Sequence, residues 1–179
     1  MWTIRQYQIN SSLMTNMISR EKAINLILDV IPSNGLVITC NGKIGREIWE
    51  LRQQREEPNE DFIMVGSMGC ALAIAVGAAM NTKKEVFCIL GDGNFLMKMG
   101  TLATYRKYLP RNLKIYVLNN GVHDSTGAQP TAFEAVKNQL PWNAMFKLFE
   151  VAPGARHDLG RPTKSAIEIK EAFMKKAMR

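Results

Sequence analysis

The sequence predicts an α/β fold, a doubly wound parallel sheet with helices on both faces. Segments such as VFCIL (86–90) and IYVL (115–118) are almost continuously apolar, as strands covered on both faces must be. Strand-like and helix-like segments alternate, which makes the sheet parallel. Glycine and asparagine turns follow three of the strands, at the sheet edge where such folds bind ligands.

The first half of the chain begins with a helix that Ser19 caps. Its apolar face comprises Ala23, Ile24, Ile27, Val30 and Ile31, and Pro32–Gly35 ends it. A strand over 36–39, a turn at 41–42 and a helix over 44–54 follow. A small-residue helix over 66–80 carries Gly69, Ala73 and Gly77 at four-residue spacing, which predicts very close packing.

The second half repeats the alternation of strand and helix. The predicted elements are a strand over 86–90, a helix over 96–108, strands over 113–118 and 146–151, and a terminal helix over 165–178. With 179 residues, 46% of them hydrophobic, the chain can bury a core of its own. We therefore expect one domain over 19–179, preceded by a mobile extension over 1–18.

Composition argues against several classes of protein. The longest apolar run, 69–80, is too short to cross a bilayer, and the amino end lacks a signal-peptide pattern, so we expect no membrane partner and a cytoplasmic location. Cys40, Cys70 and Cys88 form no Cys-x-x-Cys pair and are predicted to be buried, reduced thiols.

The net charge of +7 favours anionic partners. The basic residues are scattered, however, and neither a basic groove nor a GxGxxG turn is present, so no nucleic-acid partner is expected. Much of the excess lies near the two ends of the chain, where solvated helix faces are the usual explanation. The residues concerned are Arg5, Arg20, Lys170, Lys175, Lys176 and Arg179.

Two strand-end turns carry the chemistry. Gly91–Asn94, with the sequence GDGN, follows a buried strand and opens a helix, so its N–H groups can face an anion such as a diphosphate. Asn119–Gly121 ends the next strand, which brings Asp92 and Asn120 to one sheet edge. Mg²⁺ prefers such oxygen ligands, and a main-chain carbonyl near Val122 could add another. The site is thus expected in loops 40–46, 91–94 and 119–130.

GDGN followed by NN resembles the metal and diphosphate signature of thiamine diphosphate (ThDP) enzymes. The resemblance implies the diphosphate-binding (PP) domain type, with Gly91, Asp92, Gly93, Asn94, Asn120 and Val122 at the cofactor and Asp92, Asn120 and Val122 on Mg²⁺. The segment 65–69, VGSMG, is similar to the loop that contacts the aminopyrimidine ring. That similarity implies that Gly66, Ser67 and Met68 bind the cofactor. The Gly66 carbonyl would accept a hydrogen bond from the 4′-amino group, and the apolar Met68 side chain would force the cofactor into its bent form. An ordinary core side chain is the alternative for Met68.

Longer segments resemble the C-terminal domain of phosphonopyruvate decarboxylases. They are SREKAI (19–24), GKIGRE (42–47), MVGSMGCALAIAVG (64–77), NNGVHDSTGAQPT (119–131) and APGARHDLGRPT (152–163). Sulfopyruvate decarboxylases, some of them split into two subunits, are close relatives; the DLGRPT tail (158–163) favours the phosphonate branch. The resemblance implies a decarboxylase that converts phosphonopyruvate to phosphonoacetaldehyde and CO₂, with ThDP and Mg²⁺ as cofactors and an anionic 2-oxo acid as substrate.

The resemblance also implies that activity needs a second, pyrimidine-binding domain. In the family an activating glutamate belongs to the pyrimidine-binding domain, which we do not find in this chain. We therefore expect the glutamate on a separate, alpha-type subunit in a hetero-oligomer. No catalytic residue is assigned here: His123 and Lys43 are candidates for proton transfer or substrate binding, although each could be a surface residue. Arg156 and Arg161 could bind the phosphonate, the partner or the last strand.

The sequence departs from the family at two places. Asn41, Ile44 and Gly45 replace hydroxyl-rich residues in the first loop, which removes possible donors to the diphosphate. Ala128 stands where glycine is usual, which restricts the backbone. Both changes could weaken cofactor binding, so alternative functions are a sulfopyruvate decarboxylase beta subunit or a ThDP-binding regulatory module without turnover.

Overall fold

Strands and helices alternate along the chain, as the sequence predicts. The computed structural model describes residues 17–154, 156 and 158–179. The strands are β1 (Leu36–Thr39), β2 (Phe62–Ile63), β3 (Val86–Gly91), β4 (Leu113–Asn119), β5 (Val122–His123), β6 (Gln129–Pro130) and β7 (Phe146–Glu150). The α-helices are α1 (Arg20–Leu28), α2 (Lys43–Gln54), α3 (Ala71–Met80), α4 (Asp92–Met97), α5 (Thr101–Tyr108) and α6 (Ala166–Met178).

Five strands form a parallel sheet in the order β2-β1-β3-β4-β7. From β1 the chain moves outward to β2, then crosses back to β3 and continues outward to β4 and β7. Because such crossovers are right-handed, a reversal of direction places connections on opposite faces. The predicted doubly wound fold is therefore confirmed, and its switch point lies between β1 and β3.

The central strands β1 and β3 are buried at every position, which explains their continuous apolar sequences. Aromatic residues cluster at the β7 edge of the sheet: the ring of Phe146 lies 4.7 Å from that of Trp142 and 5.8 Å from that of Phe95. Helix α1 begins at the predicted cap, and α6 begins at a cap that was not predicted. The Ser19 side chain accepts from the N–H of Lys22, and Ser165 with Glu168 forms a capping box that begins α6.

Several predicted elements differ in detail. The helix expected over 96–108 is two helices: α4 begins at Asp92, and the chain leaves the helical path at Lys98 before α5 begins after Gly100. Helix α1 ends at Leu28, so Val30 is exposed. The short strand β2 and the β5–β6 hairpin were not predicted, because two-residue strands leave no periodic pattern.

The small-residue helix expected over 66–80 begins only at Ala71, so Gly69 lies in the turn before it, and the expected close packing is wrong for Ala73 and Gly77. Gly69 is buried, but Ala73 and Gly77 are exposed in this chain. The buried face of α3 is instead formed by Ala71, Leu72, Ala75, Val76 and Ala79.

The predicted extension falls mostly on residues 1–16, outside the described residues, and its mobility stays a prediction. Ile18, the last residue of that segment, forms a parallel bridge with Val151. No helix in the described part of the chain is long and apolar enough to span a membrane.

Candidate cofactor site

A cavity of about 140 Å³ opens at the carboxyl ends of β1, β3 and β4, beside the switch point of the sheet. We call it the cofactor cavity. Its lining comprises Arg20, Asn41, Gly42, Lys43, Ile44, Met68, Gly91, Asp92, Gly93, Asn94, Asn120, Val122, His123, Asp124, Ser125 and Thr126. The three loops predicted to carry function thus all contribute to one cavity.

Asp92 places a carboxylate in this cavity, and the residue is 2% exposed. One of its oxygens accepts a hydrogen bond from the Thr131 hydroxyl at 2.5 Å. Burial raises the pKa of Asp92, and the bonds from Thr131 and from the N–H of Gly93 offset part of that rise. A carboxylate removed from water in this way favours a neighbouring cation, which is what a metal ligand requires.

The Asn120 side chain is held in one orientation. Its amide nitrogen donates to the Asp124 carboxylate at 2.7 Å, while its oxygen accepts from the backbone N–H of Val122 at 3.2 Å. The oxygen has a second lone pair that these bonds do not use. Asp124 therefore sets which end of the Asn120 amide serves as acceptor in the cavity.

A buried ion-pair network supports Asp124. The Arg20 guanidinium donates to Asp124 at 2.7 Å and to both oxygens of Glu47 at 2.6 and 2.9 Å. The three side chains are 4%, 9% and 4% exposed, in the order Arg20, Asp124, Glu47. Burial lowers the pKa of Arg20, but the hydrogen bonds and charges of Glu47 and Asp124 together outweigh it, so the net pKa is raised and the guanidinium stays charged.

Sequence reasoning missed this network, and the prediction that Arg20 lies on a solvated helix face is wrong. One signal was available. Arg20 precedes Ala23, Ile24 and Ile27 by three, four and seven residues, so it lies on the buried face of α1. No local pattern indicated Asp124 or Thr131, whose partners lie 104 and 39 residues away.

His123 and Lys43, the two candidates for proton transfer, both line the cofactor cavity. The His123 ring packs on the GDGN turn so closely that a Cβ added at Gly93 would lie 2.5 Å from the ring. Lys43 donates to the carbonyl of Arg156 at 3.1 Å, which ties α2 to the segment before α6. Their chemical roles stay predictions.

The loop predicted to contact the pyrimidine ring is only partly in the cavity. Met68 contributes to the lining, whereas Gly66 and Ser67 are exposed and lie outside it. The N–H of Gly69 donates to the Asn94 side chain at 3.2 Å, so this loop is joined to the GDGN turn. Met68 is thus half-buried at the cavity rather than part of the core, while Gly66 and Ser67 are free to face a further surface.

The structure shows where the residues that depart from the family pattern lie and how they pack. Asn41 and Ile44 line the cavity. At Gly45 a Cβ would lie 2.6 Å from the carbonyl oxygen of Cys40, so packing against β1 requires glycine there and a hydroxyl side chain would not point at the cavity. Ala128 has φ of +57°, and the expectation of a restricted backbone is confirmed.

The two arginines of the tail are separated. Arg156 pairs with Glu50 at 2.7 Å and with Asp158 at 2.8 Å, whereas Arg161 lines a different cavity, described below. In the described part of the chain no three His, Cys, Asp or Glu side chains cluster as a metal site. Any cation at Asp92 must therefore take ligands from other groups.

Comparison with known proteins identifies the family to which the chain belongs. The family described as "Thiamine pyrophosphate enzyme, C-terminal TPP binding domain" matches residues 38–178, which include the second half of β1, every later strand and both strand-end turns. The chain belongs to this family. Its fold and its ThDP-binding domain therefore agree with the resemblance seen in the GDGN and NN turns.

Relatives with named activities include two kinds of decarboxylase. A phosphonopyruvate decarboxylase from Streptomyces viridochromogenes is 40% identical over 118 residues, 66% of this chain and 29% of the relative. A sulfopyruvate decarboxylase subunit beta from Methanothermobacter thermautotrophicus is 35% identical over 121 residues, 67% of this chain and 62% of the relative. The chain thus spans less than a third of the first and about three fifths of the second.

Proposed function

We propose that the cofactor cavity holds Mg²⁺ and the diphosphate of ThDP, and that the chain is the diphosphate-binding subunit of a 2-oxo acid decarboxylase. The observation that carries this is the meeting of Asp92 and Asn120 in one cavity at the switch point, in a chain of the ThDP-binding family. When bound, ThDP supplies an electron sink for loss of CO₂.

The residues present fit a shared metal site. Mg²⁺ takes about six oxygen ligands and is commonly held by one or two protein side chains together with phosphate oxygens. Asp92 and Asn120 offer the side-chain oxygens and Val122 a main-chain carbonyl. Because the described residues contain no cluster of acidic ligands, the diphosphate and water would complete the shell. Gly91–Asn94 and Met68 would hold the rest of the cofactor.

A separate pyrimidine-binding, alpha-type subunit would complete the enzyme. Three similar relatives are named sulfopyruvate decarboxylase subunit beta, a name that implies another subunit in those proteins. The activating glutamate would come from that partner, and the exposed Gly66 and Ser67 are available to it. Buried thiols at Cys40 and Cys88 suit a reducing, cytoplasmic location.

Phosphonopyruvate is the substrate we propose, since two phosphonopyruvate decarboxylases are 40% and 39% identical to the chain. Sulfopyruvate is the second candidate, because the sulfopyruvate decarboxylase subunits match at 30–35% over a similar length. The products would be phosphonoacetaldehyde or sulfoacetaldehyde, each with CO₂.

The test is calorimetric titration of ThDP into the chain co-expressed with a candidate alpha-type subunit, with and without Mg²⁺. We expect Mg²⁺-dependent binding that Asp92→Ala weakens roughly 100-fold, because removing one partner of a buried charge pair costs about 2–5 kcal/mol. Asp29→Ala, at the exposed end of α1, is the matched control and should bind normally.

Release of CO₂ from the same complex separates the remaining alternatives. Turnover of phosphonopyruvate faster than sulfopyruvate supports the proposal, and the reverse order assigns the chain to the sulfonate branch. Tight ThDP binding without turnover of either substrate would indicate a regulatory module. Absence of Mg²⁺-dependent ThDP binding by the complex would contradict the proposed function itself.

A further inference from the structure

A second cavity lies beside the cofactor cavity and is larger, about 340 Å³. The two share Asn41, Gly42 and Ser125 as lining residues, so they meet at the loop after β1. Its other lining residues are Arg46, Ile63, Met64, Val65, Arg161, Pro162, Lys164, Ser165 and Ala166. We call it the basic cavity, because it contains three cations and no carboxylate.

The three cations have no acidic partner. No ion pair joins Arg46, Arg161 or Lys164 to a carboxylate among the described residues. Residues 1–16, 155 and 157 include no Asp or Glu, so none of these undescribed side chains could supply one. Arg156, five residues before Arg161, pairs with two carboxylates, which makes the contrast a local one.

Two of the three cations, Arg46 and Lys164, are held by neutral groups. Arg46 donates to the carbonyl of Leu159 at 3.4 Å, and Lys164 donates to the carbonyl of Asn59 at 2.7 Å. These contacts position the side chains without neutralising them. The shared wall also has an unsatisfied group: the side-chain oxygen of Asn41 is shielded from solvent and has no hydrogen-bond donor among the described residues.

Three unneutralised positive charges around one space favour an anion with several oxygens. The Arg161 guanidinium can bind a phosphonate or sulfonate through two parallel N–H groups, and Lys164 adds a point charge. A protonated phosphonate oxygen could also donate to the Asn41 oxygen, whereas a sulfonate carries no proton at neutral pH. A carboxylate would use fewer of these groups.

We propose that the basic cavity binds the phosphonate or sulfonate end of the substrate, with Arg46, Arg161 and Lys164 as specificity-determining residues. This rests on the proposed function, because it assigns the substrate's reacting carbonyl to the cofactor side of the shared wall. The preference of the enzyme for anionic 2-oxo acids then arises in this chain rather than in the partner subunit.

The test uses the complex of the full chain with a candidate alpha-type subunit, saturated with ThDP and Mg²⁺ and titrated with methylphosphonate and, separately, methanesulfonate. We expect binding of at least one probe, weakened roughly 10- to 100-fold in Arg161→Gln and in Lys164→Gln, as loss of a charged hydrogen-bond donor implies. Arg111→Gln, which removes an exposed charge before β4, is the matched control and should bind like the wild type.

Affinity for ThDP, measured in the same samples, separates the two proposals. Unchanged ThDP binding with weakened probe binding in both variants supports the basic cavity. If the cofactor-loaded complex binds neither probe, or if the variants bind as tightly as the wild type, the cavity assignment is wrong while the proposed function stands. Failure of the wild-type complex to bind ThDP instead contradicts the proposed function.

A kinetic test uses the complex reconstituted from the chain and an alpha-type subunit. Arg161→Gln should raise KM for phosphonopyruvate with a smaller effect on kcat, because the oxyanion is held in the ground state and the transition state alike. Arg161→Lys, which keeps the charge and loses the paired geometry, should recover part of the affinity. Equal kinetics for wild type and both variants would overturn the assignment. Circular dichroism of each variant checks that the fold is retained.

Discussion

The cofactor cavity and the basic cavity share a wall and differ in how their polar groups are used. In the first, Asp92 is bonded to Thr131 and Asn120 is bonded to Asp124. In the second, three cations lie around the space with no acidic partner among the described residues. A metal site needs its ligands held in one geometry beforehand, whereas cations without an acidic partner keep their charge available for an oxyanion.

This difference has an energetic consequence. The side chains of Arg20, Glu47 and Asp124 are at most 9% exposed, so their charges are stabilised by one another and hardly at all by water. Removal of one partner leaves an uncompensated buried charge. Arg161 is exposed, so water can replace whatever it contacts. The cofactor side should therefore contribute to folding, while the basic side contributes to binding alone.

The largest expected effect is that of Arg20→Met. Loss of the guanidinium should lower the free energy of unfolding by about 3–5 kcal/mol, because the Glu47 carboxylate stays buried without its partner. Arg161→Met, the matched change in the basic cavity, should alter it by less than about 0.5 kcal/mol. Urea denaturation of both variants measures the difference. Equal losses would remove the proposed distinction between the two cavities.

Asp124→Asn should produce the next largest effect, on cofactor binding. An Asn at this position can still fill the space, but it no longer holds the Asn120 amide in one orientation with a charged acceptor. Partners of this kind typically change metal affinity by about 10- to 100-fold. Calorimetry with ThDP and Mg²⁺ measures the change, with Asp29→Asn as the exposed control.

A second substitution at the same position tests whether orientation of Asn120 causes the effect. Asp124→Glu retains the charge and should bind ThDP more tightly than Asp124→Asn if orientation of Asn120 is the cause. If Asp124→Asn binds cofactor as tightly as the wild type, the network serves the fold and has no part in positioning the ligand. The basic cavity probes methylphosphonate and methanesulfonate should bind both variants normally.

Sequence reasoning predicted the parts of this molecule that depend on neighbouring residues. The buried strands β1 and β3 were recognisable as apolar runs in the sequence. The turns after β3 and β4 were enough to predict that Asp92 and Asn120 lie at one sheet edge. The cap at Ser19 marked the start of α1. Each of these signals is local and rests on propensity or periodicity.

Contacts between residues far apart in the sequence could not be predicted from local patterns. The Arg20–Asp124 bond joins residues 104 apart, and no pattern in either segment specifies the other. The basic cavity likewise combines the loop after β1, the end of β2 and the start of α6, which the sheet order brings together. Scattered basic residues in the sequence therefore gave no indication that three of them would surround one space.

The smallest expected effect concerns backbone strain on the cofactor side. Ala128 has φ of +57°, a conformation that disfavours a side chain by about 1–2 kcal/mol. Ala128 lies two residues after Thr126, which lines the cofactor cavity. Ala128→Gly should therefore raise the free energy of unfolding by about 1 kcal/mol, since relief of strain exceeds the added chain entropy.

Ala132→Gly is the matched control for that change. Ala132 lies in the same segment with φ of −91°, so glycine there relieves nothing and should lower stability by about 0.5–1 kcal/mol at most. Opposite signs for the two variants in urea denaturation would locate the strain in the loop that borders the cofactor cavity. If Ala128→Gly is also destabilising, the left-handed backbone at this position is not strained.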